Sequence, residues 1–172
     1  MTGGGSEPRG RALVVTASNR AAAGVYEDRG GPVLADGLTA MGFAVDGPVV
    51  VPDGEPVEQA LRRAVEDGYD VVLTTGGTGL SPTDRPPEAT GRVRDREVPG
   101  LAESIRGYGV RAGVPTAALS RGLAGLAGRT VIVNLPGSPG GCRDGIAVLA
   151  DVLPHAVDQV RGVDHRAVPA GG

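Results

Sequence analysis

Residues 71–84 read VVLTTGGTGLSPTD, an apolar run followed at once by threonines, glycines and a carboxylate. The β-branched start is typical of a buried strand in a parallel sheet. A strand that ends in small residues and one acid is expected to end at a ligand site, because open parallel sheets bind ligands beyond the carboxyl ends of their strands. The segment therefore predicts an α/β protein with a site after this strand.

The size and composition of the chain fit one domain around one core. It has 172 residues, 40% of them apolar, but only 2% aromatic, so Val, Leu, Ile and Ala must fill the core. Residues 1–10 and 163–172 are rich in Gly, Pro and charge, and we expect both segments to be disordered tails. The single domain is then expected over residues 11–162.

The charged residues and the single cysteine exclude several classes of site. All 17 basic side chains are arginines, so a phosphate must be held by Arg, hydroxyls, backbone amides or a metal ion. Scattered arginines in an acidic chain argue against nucleic-acid binding. Cys142 alone cannot form an internal disulfide or a multi-cysteine metal site. No apolar run is long enough for a membrane span or a secretory signal, and we expect a cytoplasmic protein.

The rest of the chain alternates between strand and helix patterns. This alternation implies right-handed crossovers and a mostly parallel sheet with helices on both faces, which is a three-layer α/β/α sandwich. Residues 76–98 are expected to form a long loop, and loops of this length are usually functional. Strands are expected at 11–18, 44–54, 70–75 and 130–137, and helices at 31–42, 56–67, 99–108 and 145–160.

The residues that follow the four predicted strands, which we call the strand exits, carry hydroxyls, amides or acids. Asp53 stands at one of these exits, and Asp84 follows the glycine loop of another. Two carboxylates and nucleotide phosphates repel one another unless a divalent cation lies between them, and Mg²⁺ is bound by one or two carboxylates plus phosphate oxygens. Glycines let backbone N–H groups approach a phosphate closely. These exits lie at residues 16–20, 51–54, 74–79 and 134–139.

Simpler explanations exist for each of these features. The glycines are also compatible with a tight connection alone, Asp53 with a cap of the next helix, and Asp84 with a turn before two prolines. A nicotinamide-binding fold is disfavoured, because G-x-G-x-x-G counted from Gly77 would need glycine where Pro82 stands.

Taken together, the motifs resemble the molybdopterin adenylyltransferase family of MogA- and MoaB-like proteins. Order and spacing agree over about residues 11–161. The resemblance implies an α/β sandwich, usually a homotrimer, that binds molybdopterin and ATP during molybdenum cofactor synthesis. The motifs are TTGGTGLSPTD with PEAT at 74–90, REVPGLAESIR at 96–106, LSR at 119–121 and VNLPGSP at 133–139.

The family reaction joins AMP from Mg-ATP to the terminal phosphate of molybdopterin and releases pyrophosphate. The resemblance assigns catalysis and Mg²⁺ binding to Asp53 and Asp84. It assigns substrate and nucleotide binding to Ser18, Asn19, Gly76, Gly77, Thr78, Gly79, Ser120, Arg121, Pro136, Gly137 and Ser138.

Two positions depart from the family pattern. The family commonly has an acid at the position of Asn19 and often a lysine after PGSP, where this chain has Gly140 and Gly141. Arg143 is a candidate to replace that lysine. A non-catalytic molybdopterin-binding or scaffold paralogue is therefore the alternative function, although the aspartate pair favours catalysis.

Overall fold

A computed structural model of the chain describes residues 5–163, and within that range it contains six strands and six α-helices. The strands are β1 (Arg11–Ala17), β2 (Ala44–Val51), β3 (Val71–Thr75), β4 (Arg96–Glu97), β5 (Ala124–Ala127) and β6 (Thr130–Leu135). The helices are α1 (Asn19–Ala22), α2 (Gly30–Ala40), α3 (Glu55–Glu66), α4 (Pro86–Val93), α5 (Pro99–Arg111) and α6 (Pro139–Val160), with a 3-10 helix at Pro115–Leu119.

The strands form one sheet in the order β2-β1-β3-β6-β5-β4. The strands β2, β1, β3 and β6 are parallel to one another, and β5 and β4 extend the sheet in antiparallel pairings. In the shared register Leu13, Val72 and Ile132 lie side by side across β1, β3 and β6. The carboxyl ends of the parallel strands therefore meet at one edge of the sheet, where the predicted site residues follow.

The core lies on both faces of the sheet, because successive strand residues point in opposite directions. Ala12 and Val14 of β1 pack with residues of α2, α5 and α6, whereas Leu13 and Val15 pack with α3 and α4. The predicted three-layer sandwich with a mostly parallel sheet is thus confirmed.

The prediction that residues 76–98 form one long loop was wrong for the second half of this range, which contains α4 and β4. Pro86 and Pro87 occupy the start of α4, where a missing N–H costs little, and Ala89 and Val93 bury one face of the helix. The expected set of four strands also omitted β5, whose short AGLA sequence has no β-branched residue.

The last helix begins earlier than expected, at Pro139 rather than residue 145. The Ser138 hydroxyl accepts a hydrogen bond from the Gly141 amide at 3.0 Å and caps the helix.

The predicted tails fall largely on residues 1–4 and 164–172, which lie outside the described residues. In the remainder, the Arg9 amide donates to the Gly42 carbonyl, and the Gly10 carbonyl accepts from the Ala44 amide. The domain bounds of 11–162 stay a prediction. No helix within residues 5–163 combines the length and the hydropathy needed to cross a membrane.

Candidate functional site

Residues that follow β1 hold the turn that follows β2 in position. Ser18 caps α1 by accepting from the Ala21 amide at 3.1 Å, and Asn19 Oδ1 accepts from the Asp53 amide at 3.0 Å. The side chain of Asn19 thus fixes the backbone that carries Asp53. A carboxylate at this position would accept the same hydrogen bond, so the departure from the family pattern preserves the contact.

The carboxylate of Asp53 reaches the chain next to Asp84. Its Oδ1 atom accepts from the Gly54 amide at 2.6 Å and from the Arg85 amide at 3.0 Å. Since Arg85 follows Asp84 directly, this hydrogen bond joins the turn after β2 to the end of the loop after β3. The structure therefore brings the two predicted catalytic acids to one place.

Asp84 closes a turn with Ser81. Its Oδ2 atom accepts from the Ser81 amide at 3.1 Å, and its own amide donates to the Ser81 carbonyl at 3.0 Å. Each acid therefore has one carboxylate oxygen bonded to backbone amides, while its second oxygen has no hydrogen-bond partner among the described residues. Those second oxygens are available to a ligand.

The charge around Asp53 suits a cation. Burial raises the pKa of the Asp53 carboxyl, the Arg85 and Gly54 amides lower it in part, and the nearby acids Asp84 and Glu88 raise it further. No cluster of three or more metal-ligating side chains occurs within residues 5–163. Two carboxylates are nevertheless sufficient for Mg²⁺ that also contacts phosphate oxygens.

Glycines keep the space beside both acids open. A Cβ atom on Gly77 would lie 2.5 Å from Asp53 Oδ2, and one on Gly79 would lie 2.9 Å from Asp84 Oδ2. Gly77 also has φ +67°, which disfavours other residues. The donor set and this open space fit a magnesium ion held between Asp53 and Asp84.

The predicted phosphate cradle is shorter than residues 76–79. The Gly76 amide donates to the Leu135 carbonyl at 3.1 Å, extending the β3–β6 pairing by one residue. Within the described part of the chain, the amides of Gly77, Thr78 and Gly79 have no protein acceptor. These three amides can therefore donate to an anion.

Arg121 braces the loop that carries Asp84. Its amide donates to the Thr78 carbonyl, and its guanidinium donates to the carbonyls of Gly79 and Asp84, each at 2.8 Å. The same guanidinium forms an ion pair with Glu88. Its guanidinium is thus bonded to protein groups, and the substrate-binding role expected from the motif stays a prediction.

Two cavities lie on either side of the glycine loop. The first, of about 490 Å³, is walled by α5, the 3-10 helix and the start of α6, and we call it the α5–α6 cavity. The second, of about 410 Å³, lies at the exits of β1 and β3, and we call it the β1–β3 cavity. Of the predicted residues, Thr78, Gly79, Ser120, Pro136 and Ser138 line the first, and Ser18, Gly76, Gly77 and Gly137 line the second.

A buried amide supports this edge of the sheet. Asn134 Nδ2 donates to the hydroxyls of Thr74 and Thr90, and its Oδ1 accepts from the Leu123 amide. The amide thus ties β6 to β3 and α4 with its polar atoms satisfied, which favours one fixed arrangement. Asn134 was counted from the sequence among the polar residues at the strand exits, but its hydrogen bonds to Thr74 and Thr90 were not predicted.

The lone cysteine is part of the framework. Cys142 is fully buried, and its Sγ atom lies 3.2 Å from both the Pro136 carbonyl and the Thr75 hydroxyl. Burial raises the pKa of this thiol, so the reactive thiolate is disfavoured. Cys142 is therefore a packing residue of the core and not an exposed nucleophile.

Known proteins share this fold and sequence pattern. A family described as a probable molybdopterin binding domain matches residues 13–155. A molybdopterin adenylyltransferase of Helicobacter pylori is 35% identical, and the match covers 87% of this chain and 86% of that protein. Among solved structures, the molybdopterin biosynthesis Mog protein from Mycobacterium ulcerans has 54% sequence identity to this chain and superposes with a TM-score of 0.83. The match covers 87% of this chain and 98% of that one.

A longer relative matches as well. The molybdenum cofactor biosynthesis bifunctional protein of Synechococcus elongatus is 37% identical over 91% of this chain, which spans about half (49%) of that relative's length. The resemblance predicted from the motifs is confirmed. The chain belongs to the family of probable molybdopterin binding domains.

Proposed function

We propose that this protein transfers AMP from Mg-ATP to the terminal phosphate of molybdopterin, a step of molybdenum cofactor synthesis. One observation carries the proposal: Asp53 is hydrogen-bonded to the amide next to Asp84, beside a glycine loop that separates two cavities. A transfer between two bound molecules needs such adjoining sites. The H. pylori relative, named molybdopterin adenylyltransferase, supports the same reaction.

The cavities suggest where each substrate binds. Ala102, Ile105, Val114 and Leu119 give the α5–α6 cavity an apolar wall suited to a pterin ring, and the Thr78 residue at its edge offers a hydroxyl. The nucleotide then lies on the side of the β1–β3 cavity, with its phosphates toward the free amides of Gly77–Gly79.

The reaction needs no nucleophile from the protein. An oxygen of the molybdopterin phosphate bonds to the α-phosphorus of ATP, and the bond from that phosphorus to the bridging oxygen breaks. The electron pair leaves with pyrophosphate. The protein contributes the orientation of both phosphates and compensation of their charge.

Asp53 and Asp84 are the residues that would hold Mg²⁺. When bound, the ion compensates negative charge on the ATP phosphates and on the departing pyrophosphate. Asn19 and Arg85 keep Asp53 in position, and Arg121 does the same for the loop of Asp84. The homotrimer and the cytoplasmic location stay predictions.

Purified protein mixed with molybdopterin, ATP and Mg²⁺ tests the proposal. We expect adenylylated pterin and pyrophosphate in equal amounts, measured by mass spectrometry and a coupled pyrophosphate assay, and neither product without ATP. Tight pterin binding without any product would instead select the non-catalytic paralogue.

A further inference from the structure

A third cavity starts beside the turn that carries Asp53. This open groove of about 640 Å³ begins at Gly54 and is walled by α3 and α4. We call it the arginine groove, because three arginines line it together with two carboxylates: Arg62, Arg85, Arg92, Glu55 and Glu58. None of the predicted site residues lines it.

Most charges of the arginine groove are already paired. Glu58 binds Arg62 at 2.8 Å and Arg92 at 2.7 Å, one with each carboxylate oxygen. Glu55 accepts a hydrogen bond from Gln59 at 3.1 Å. Three arginines against two carboxylates leave a net charge of +1: Glu58 with Arg62 and Arg92 carries +1, Arg85 carries +1, and Glu55 carries −1.

Arg85 is exposed, and its guanidinium forms no ion pair or hydrogen bond with any residue in the range 5–163. The charge of Arg85 acts on Glu88 only at a distance. Burial raises the pKa of the Glu88 carboxyl, the hydrogen bond from Arg121 lowers it, and the charge of Arg85 adds a smaller lowering effect. An unpaired guanidinium is a strong donor for phosphate, because its planar N–H groups can bind two oxygens at once.

The position of Arg85 relates the groove to the acid pair. Its main-chain amide donates to Asp53 at 3.0 Å, and the preceding residue is Asp84. Its backbone therefore lies beside both acids, and the residue lines the arginine groove. Arg121, which also adjoins this loop, has its guanidinium bonded to protein groups and is not available to a phosphate.

We propose that Arg85 and the arginine groove bind the β- and γ-phosphates of ATP and the inorganic pyrophosphate formed from them. This inference rests on the proposed function and adds a binding site for the leaving group. As the bond between the α-phosphorus and the bridging oxygen breaks, the negative charge grows on pyrophosphate, and the Arg85 guanidinium compensates it.

Calorimetric titration with inorganic pyrophosphate tests the site without turnover. We expect Arg85→Ala to weaken binding about 10- to 100-fold, the range for losing a charge-assisted hydrogen bond, and Arg85→Lys to restore part of it. Both variants keep the main-chain amide that holds Asp53. Arg63→Ala, which removes an exposed arginine of α3 outside the groove, should bind pyrophosphate like the wild type.

Two results would overturn the inference: no measurable pyrophosphate binding by the wild type, or equal affinity in the wild type and Arg85→Ala. The adenylylation assay separates this from the proposed function. Arg85-dependent binding in a protein that never adenylylates would retain the anion site and reject the reaction, whereas adenylylation with Arg85-independent binding would reject only the site.

Discussion

Asp53 and Asp84 reach the same place by different means. Asp53 follows the end of β2 closely and is fixed by its own turn, by the Asn19 side chain and by the Arg85 amide. Asp84 lies at the far end of the long loop after β3, and the guanidinium of Arg121 holds its carbonyl from 37 positions away in the sequence.

The difference lies in the group that is held: Asp53 is held through its own carboxylate and amide, whereas Asp84 is held through its carbonyl by the side chain of Arg121. A short turn after a strand leaves few conformations for Asp53, and the adjacent Gly54 amide holds it together with Asn19 and Arg85, which are 34 and 32 positions away. The loop of Asp84 is longer and is exposed at residues 80–83, and Arg121 from a separate segment braces it. We therefore expect substitution of either acid to remove a charge that would hold Mg²⁺, and substitution of Arg121 to displace Asp84 from its position.

Replacing either acid should have the largest effect. We expect Asp84→Asn and Asp53→Asn each to lower the rate of AMP transfer about 100- to 1,000-fold, because each removes a charge that would hold Mg²⁺ but preserves side-chain shape. Single-turnover kinetics with circular dichroism as a folding control measure this effect. Full activity in both variants would refute the metal assignment.

Loss of the brace should have an intermediate effect. We expect Arg121→Ala to lower kcat about 10- to 100-fold through displacement of Asp84, with the KM for molybdopterin nearly unchanged and partial recovery in Arg121→Lys. Arg63→Ala is the matched control. A raised KM with normal kcat would instead support the substrate-binding role predicted from the motif.

The smallest effect concerns stability and pH. Burial and neighbouring acids raise the folded-state pKa of Asp53 above its ordinary value of 3.8, so ionised Asp53 opposes folding at neutral pH. Asp53→Asn should therefore melt about 1–3 °C higher than the wild type at pH 7.

The sign of that difference follows from the raised pKa. The stabilising contribution of Asp53 is complete below pH 3.8 and is lost as pH rises through the folded-state pKa, so the gain from Asp53→Asn should be smaller at about pH 4 than at pH 7. Thermal melts at both pH values measure it, with exposed Asp36→Asn as control. An unchanged gain at about pH 4 would contradict this cause.

Much of the fold could be predicted because β1, β3 and β6 are apolar runs that end in small polar residues. The helix α4 could not, because Pro86, Pro87 and Gly91 resemble loop sequence, and burial of Ala89 and Val93 against the sheet overrides that local preference. The glycine loop and both acids were recognisable from their motifs. Arg85 was not, because nothing in its neighbourhood in the chain marks its guanidinium as unpaired.

The sequence by itself determined the alternation of strands and helices, the parallel core, and which residue types stand at the strand exits. These depend on periodicity and backbone preference, which act between near neighbours. Only the tertiary structure decided which guanidinium is bonded to protein groups and which is free, and that Asp53 adjoins Asp84. Such pairings depend on distances between segments far apart in the chain, and the packing of α3 and α4 on the sheet sets those distances.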